Sequence, residues 1–206
     1  EFAEHILADN FQLATRTGEN GRLLVDAWMS LNESIPGPAS GGYSNSAAEK
    51  EEIERRLRAY DKFQVAFRSK LMEQGVEAVA FNFGAGNFTS AAHYLDFFPE
   101  TLASYTYLGF HEYGWPAMRP DPAAGVFSSA GSYRPIIQGI RQQTGRVYKA
   151  IITEAGLARM FAHSKDGAGD VGWLYPEDAV SQDDYWRSLD WFNDYLVQDD
   201  FALGAC

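Results

Sequence analysis

Several polar side chains of this sequence stand where an apolar run, and hence a buried strand, would end. Asn32 and Glu33 follow the first run, Asn82 lies at the end of the second, His111 ends the third and Glu154 follows the fourth. Two facing carboxylates can hydrolyse a glycosidic bond, because one protonates the leaving oxygen while the other attacks the sugar or activates a water. A separation of about 5 Å gives retention of configuration, and roughly 6.5–9.5 Å gives inversion. Glu33 and Glu154 are the candidates for such a pair.

Each of these side chains also has an ordinary structural interpretation. A carboxylate at the end of a strand is usually solvated, and a single histidine is more often a hydrogen-bonded structural residue. Glu33, His111 and Glu154 are also acceptable metal ligands, which leaves a metal-dependent barrel hydrolase or isomerase as an alternative. The sequence has no His-x-His pair to strengthen that alternative. The joint pattern, rather than any one residue, favours paired-carboxylate chemistry.

The composition excludes several classes of partner and cofactor. The 206 residues carry 17 basic and 28 acidic side chains, a formal net charge of −11, which argues against nucleic acid and anionic membrane surfaces as partners. The single cysteine, Cys206, excludes an intrachain disulfide framework and a thiolate metal cluster within the chain. Gly84 and Gly86 lack a third glycine at the dinucleotide-binding spacing, because Thr89 stands there.

The elements that must position these residues alternate along the chain. Apolar periodicity and Gly/Pro punctuation predict helices over 3–17, 47–74, 91–102 (interrupted near Pro99), 133–144 and 178–198, and strands over 23–31, 76–83, 105–113, 147–153 and 201–206. Strict alternation with buried strands indicates an α/β fold, with a parallel sheet covered by helices. In such folds ligands meet the carboxyl ends of the strands, where the polar side chains stand.

Three short segments, in this order, resemble the clan A glycoside hydrolases. Residues 28–33 (WMSLNE) are similar to the strand 4 segment of that clan, 108–113 (LGFHEY) to strand 6 and 151–156 (IITEAG) to strand 7. Residues 80–84 then occupy the place of strand 5, and 201–206 the place of strand 8. The resemblance implies a partial TIM (β/α)8 barrel that runs from about helix 3 to strand 8. A single domain over residues 1–206 is expected, cut from a longer protein at one or both ends.

The resemblance also implies a role for each residue that matches the clan's motifs. Glu33 would be the acid/base, Glu154 the nucleophile, and Asn32 would hydrogen-bond the sugar 2-hydroxyl. Tyr113 would hold Glu154 through its phenol, and His111 would line the same subsite. Three further residues are candidates for substrate binding: Asn82 at the end of a strand, and Trp115 and Trp173, which are expected in loops and could stack on sugar rings.

The sequence thus predicts a retaining O-glycosyl hydrolase that acts on a β-linked, glucan-like polysaccharide or oligosaccharide. No cofactor and no metal are needed for that chemistry, and the expected partner is the carbohydrate substrate. A barrel that binds carbohydrate without cleaving it is the alternative from the binding class, and the metal-dependent enzyme is a third. The cellular location is left open, with a secreted protein favoured.

Overall fold

The computed structural model describes residues 12–33, 35, 37–38, 46–158 and 180–206, so the predicted helix over 3–17 lies mostly outside the described residues. The helices are α1 (Ala47–Met72), α2 (Ala91–Phe97), α3 (Pro99–Ser104), α4 (Tyr133–Thr144) and α5 (Gln182–Leu196). The strands are β1 (Ala27–Met29), β2 (Glu77–Phe81), β3 (Tyr107–Trp115), β4 (Phe127–Ser128), β5 (Lys149–Leu157) and β6 (Ala202–Ala205). Within this part of the chain, no helix is both long enough and apolar enough to cross a membrane.

Five of the strands form a parallel sheet in the order in which they occur along the chain. β1, β2, β3, β5 and β6 are successive neighbours, with Trp28 opposite Ala78 and Leu108 opposite Ala150. A doubly wound sheet reverses its strand order at a switch point. This sheet instead winds in one direction and curls into a half-barrel. The prediction of an α/β fold with a parallel sheet and alternating helices is therefore confirmed.

Three elements differ from their predicted form. β1 is shorter than the predicted strand over 23–31, because Leu23 forms an antiparallel bridge with Thr17 instead of joining the sheet. The predicted helix over 91–102 is two helices, since Pro99 has no N–H with which to continue α2. The region after β3 was predicted to be a loop throughout, but it contains β4, which pairs antiparallel to the end of β3.

An aromatic cluster fills the core beneath the end of β2. Phe81 and Phe83 from β2 and its extension pack against Phe88, Tyr94 and Phe98, and the Phe83 and Phe88 rings stack with centroids 4.0 Å apart. All five side chains are almost entirely buried. Rings of this size contribute most of the apolar area that a small core removes from water. The end of β2 is therefore held on one side by rigid packing.

The carboxylate of Glu112 caps helix α4 from the neighbouring strand. Glu112 is fully buried in β3, and its oxygens accept hydrogen bonds from the backbone N–H groups of Ser132 and Tyr133 and from the Ser132 hydroxyl. These N–H groups have no acceptor within the helix, so the carboxylate satisfies them. Burial nevertheless raises the pKa of Glu112 to about 7, against the lowering effect of the hydrogen bonds.

We expect this carboxyl group to make folding less favourable as the pH rises from about 4.5 to 7. Its pKa is raised in the folded state, so over this range the unfolded chain loses the proton first and the free energy of unfolding falls. The free energy of unfolding falls by about 3 kcal/mol over this range. Above pH 7 Glu112 is ionised in both states, so it causes no further change in stability. Urea unfolding of the wild type and Glu112→Gln across pH 4.5–8 measures the effect as a difference. A difference in stability that does not change with pH would contradict it.

Candidate active site

The candidate site lies at the carboxyl ends of β1, β2, β3 and β5, which are successive neighbours in the curled sheet. β3 and β5 run further than predicted, so His111 lies in the middle of β3 and Glu154 lies within β5 rather than after it. The register shifts between Phe110 and His111, and beyond the shift His111 is opposite Glu154. Such register shifts, typical of β-bulges, change the direction in which side chains point at the ends of barrel strands. The predicted pair therefore comes from strands three steps apart whose ends converge.

Glu154 accepts hydrogen bonds from two side chains on two other strand ends. The Asn32 amide Nδ2 donates to Oε1 at 2.9 Å, and the Tyr113 hydroxyl donates to Oε2 at 2.9 Å. Donors of this kind stabilise the ionised form of a carboxylate and fix its orientation. Each oxygen of Glu154 thus accepts a hydrogen bond, and the two donors hold the side chain in one orientation.

His111 lies between the two glutamates. Its Nδ1 is 2.8 Å from Oε1 of Glu33 and 3.4 Å from Oε2 of Glu154. The imidazole is completely buried, and its Nε2 has no hydrogen-bond partner among the described residues. The tautomer of the ring decides whether Nδ1 donates a hydrogen bond to Glu33 or accepts one from it. His111 thus lies close to both glutamates through the same ring nitrogen, Nδ1.

The two glutamates themselves remain open to solvent. The side chain of Glu33 is 38% exposed and that of Glu154 is 31% exposed, whereas His111 beneath them is buried. Carboxylate oxygens of both residues and the histidine nitrogen all lie within 4.8 Å of one another. A ligand can consequently reach both carboxylates at once from the open side.

Tyr113 remains a proton donor over the whole working pH range of a protein. Burial, together with the hydrogen bond to Glu154, raises the pKa of Tyr113 well above its ordinary value. A phenol in this state keeps its proton and donates a hydrogen bond to the carboxylate oxygen. The contact to Glu154 is therefore maintained whenever that carboxylate is ionised.

The other predicted site residues lie in different surroundings. Asn82 is completely buried, with its Oδ1 accepting a hydrogen bond from the Thr153 hydroxyl at 2.9 Å. Trp115 was predicted to lie in a loop, which is wrong: it is the last residue of β3 and is only 8% exposed in the core. Its ring consequently offers little area for stacking on a sugar. Trp173 lies outside the described residues.

The same three side chains could also hold a divalent cation. Glu33, His111 and Glu154 each offer one ligand atom within the 4.8 Å cluster, a donor set of two oxygens and one nitrogen that suits zinc or manganese.

Comparison with protein-family models, curated proteins and solved structures finds no match for this chain. The choice between hydrolysis by paired carboxylates and metal chemistry therefore depends on the geometry.

Two residues at the site carried no recognisable signal in the sequence. Thr153 directly precedes Glu154, and its hydroxyl reaches Asn82 on the neighbouring strand end. Tyr185, on α5, had the spacing of an ordinary core residue, but a Cβ at Gly156 would lie 3.5 Å from its hydroxyl and 3.9 Å from the Tyr113 ring. Only the tertiary fold brings the Thr153 hydroxyl to Asn82 and the Tyr185 hydroxyl close to Gly156.

Proposed function

We propose that this chain carries the catalytic pair of a retaining O-glycosyl hydrolase that acts on a β-linked, glucan-like polysaccharide or oligosaccharide. The observation that supports it best is the meeting of Glu33 and Glu154, with carboxylate oxygens within 4.8 Å. An oxygen-to-oxygen distance of this size is compatible with the separation of about 5 Å between the carboxyl groups of retaining enzymes. The half-barrel is compatible with part of a TIM barrel of the clan A type.

The two glutamates divide the work according to their hydrogen bonds. Glu154, which Asn32 and Tyr113 orient through their hydrogen bonds, attacks the anomeric carbon. Glu33 protonates the glycosidic oxygen as the bond to it breaks, which yields a glycosyl-enzyme ester on Glu154 and a free alcohol. Glu33, now ionised, takes a proton from a water that attacks the same carbon and releases Glu154. Two inversions at one carbon give net retention.

His111 and Asn32 support this cycle through contacts that already exist. His111 can donate from Nδ1 to Glu33 once that residue has given up its proton, so the charge developed at Glu33 has a partner. Asn32 lies against the nucleophile oxygen, in the position from which an amide can also reach the 2-hydroxyl of a bound sugar. A neutral polysaccharide places no demand on basic residues, which agrees with the acidic composition.

Proton NMR of the first product tests this proposal. The full chain is incubated with a panel of 4-nitrophenyl β-glycosides and the anomer released is recorded before mutarotation. We expect the β-anomer to form first, because two displacements restore the configuration. First appearance of the α-anomer would exclude the retaining mechanism, and carbohydrate binding without any hydrolysis would favour the non-catalytic alternative.

The metal-dependent alternative is supported by the ligand cluster and is tested separately. Prolonged treatment with a strong chelator leaves a two-glutamate mechanism intact, because no step uses a metal. We therefore expect hydrolysis to survive EDTA and to gain nothing from added zinc or manganese. Loss of activity on chelation with recovery on metal addition would replace the proposal by the metal enzyme.

A further inference from the structure

The end of β2 adopts a backbone conformation that ordinary residues avoid. Phe81 has φ 84° and Asn82 has φ 56°, and Glu33, which faces them, has φ 49°. Non-glycine residues in the left-handed region cost on the order of 1–3 kcal/mol each and persist only where the surroundings hold them. Three such residues therefore lie together at the candidate site.

Asn82 is hydrogen-bonded to the chain segments of both glutamates. Its backbone carbonyl accepts the N–H of Glu33 at 3.0 Å. Its side-chain Oδ1 accepts the hydroxyl of Thr153, the residue directly before Glu154, at 2.9 Å. The residue directly after β2 thus connects the acid/base segment after β1 with the nucleophile segment of β5.

The surroundings are shaped to keep Asn82 in this position. A Cβ at Gly109 on β3 would lie 2.2 Å from Oδ1 of Asn82, so only glycine leaves room for the amide. The carbonyl of Phe81, on the preceding residue, accepts the Tyr60 hydroxyl from α1 at 2.8 Å. The amide itself is completely buried, and it is therefore shielded from any ligand in the open part of the site.

We infer that Asn82 is a positioning residue, which fixes the separation of Glu33 and Glu154 through its two hydrogen bonds and makes no contact with the sugar. This inference rests on the proposed function and replaces the substrate contact predicted for Asn82 from the sequence. A positioning role acts on the chemical step, because a misplacement of about 1 Å at a reacting group can cost on the order of 100-fold in rate.

Two variants of the full chain remove the side-chain bond from opposite ends. Asn82→Gly keeps the left-handed backbone at little cost and deletes the amide, whereas Thr153→Val deletes the hydroxyl and keeps the volume. With a 4-nitrophenyl β-glycoside as substrate, we expect each variant to lower kcat about 10- to 100-fold and to leave KM unchanged. The double variant should lose no more than either single one, because both remove the same bond.

Two further variants separate positioning from general stability. Thr153→Ser keeps the hydroxyl and should recover most of the kcat lost in Thr153→Val. Thr101→Val removes a buried hydroxyl that bonds Asp61 between α1 and α3, so it should lower the melting temperature and leave kcat unchanged. A raised KM with normal kcat in Asn82→Gly, or additive losses in the double variant, would overturn the inference.

Crystal structures keep the inference testable if the wild type cleaves no glycoside. Failure of the wild type to cleave any glycoside would refute the proposed function but not the positioning role. In Asn82→Gly and Thr153→Val, the carboxylate oxygens of Glu33 and Glu154 should then lie further apart than in the wild-type chain. An unchanged separation in both variants would refute the positioning role, whatever reaction the site performs.

Discussion

Replacing Glu154 by alanine is expected to lower kcat on the order of 10⁵-fold, while carbohydrate binding stays measurable. The variant lacks the atom that attacks the anomeric carbon, and the donors Asn32 and Tyr113 lose their acceptor. Steady-state kinetics with a 4-nitrophenyl β-glycoside and calorimetric titration with the corresponding oligosaccharide measure the two quantities separately.

Added azide gives this variant a specific signature. A small anion can enter the space left by the carboxylate, attack the anomeric carbon from that side and expel the nitrophenolate. One displacement inverts the configuration, so the product should be the α-glycosyl azide. Alanine at Glu100, an exposed glutamate on α3, is the matched control and should leave turnover unchanged. Normal turnover in Glu154→Ala would refute the assignment of the nucleophile.

Alanine at Glu33 is expected to produce a loss that depends on the leaving group. General acid catalysis contributes about 10²- to 10⁴-fold, and a substrate with a poor leaving group needs all of it. 2,4-Dinitrophenolate leaves without needing a proton, so with its glycoside the first step should proceed almost normally and the glycosyl-enzyme ester should accumulate. Burst kinetics across a series of aryl glycosides measures this dependence.

Azide again distinguishes the two roles. In Glu33→Ala the anion attacks the ester formed on Glu154, which is the second displacement, and the product should be the β-glycosyl azide. The opposite configurations from the two alanine variants assign nucleophile and acid/base independently of any absolute rate. An α-azide from Glu33→Ala would exchange the two assignments.

The arrangement of the strands was predictable because it depends on local patterns. Buried strands and amphipathic helices alternate along the chain, and α4 was placed at residues 133–144, where the structure has it. The ends of parallel strands meet at one edge of a sheet, so Glu33, His111 and Glu154 could be grouped without knowing their contacts. Their shared cluster follows from this topology.

The finer geometry was not predictable because tertiary contacts decide it. Nothing local indicates that Asn32 reaches Glu154 or that the short strand β4 folds back on β3. The left-handed backbone of Phe81 is intrinsically unfavourable and exists only because packed rings and the Tyr60 hydroxyl hold it. Trp115 was placed in a loop because Gly114 and Pro116 flank it, although β3 continues through it.

The weak pairing of β1 means that the site can open and close locally while the rest of the sheet stays folded. β1 has three residues and pairs with β2 alone among the described strands, whereas β5 lies between β3 and β6. Edge elements with few contacts open locally at lower free energy than central ones. Opening of β1 would carry Glu33 away while Glu154 stays in place. A ligand that bridges both carboxylates binds only the form in which β1 is paired. By linkage, its binding therefore stabilises the pairing of β1 with β2.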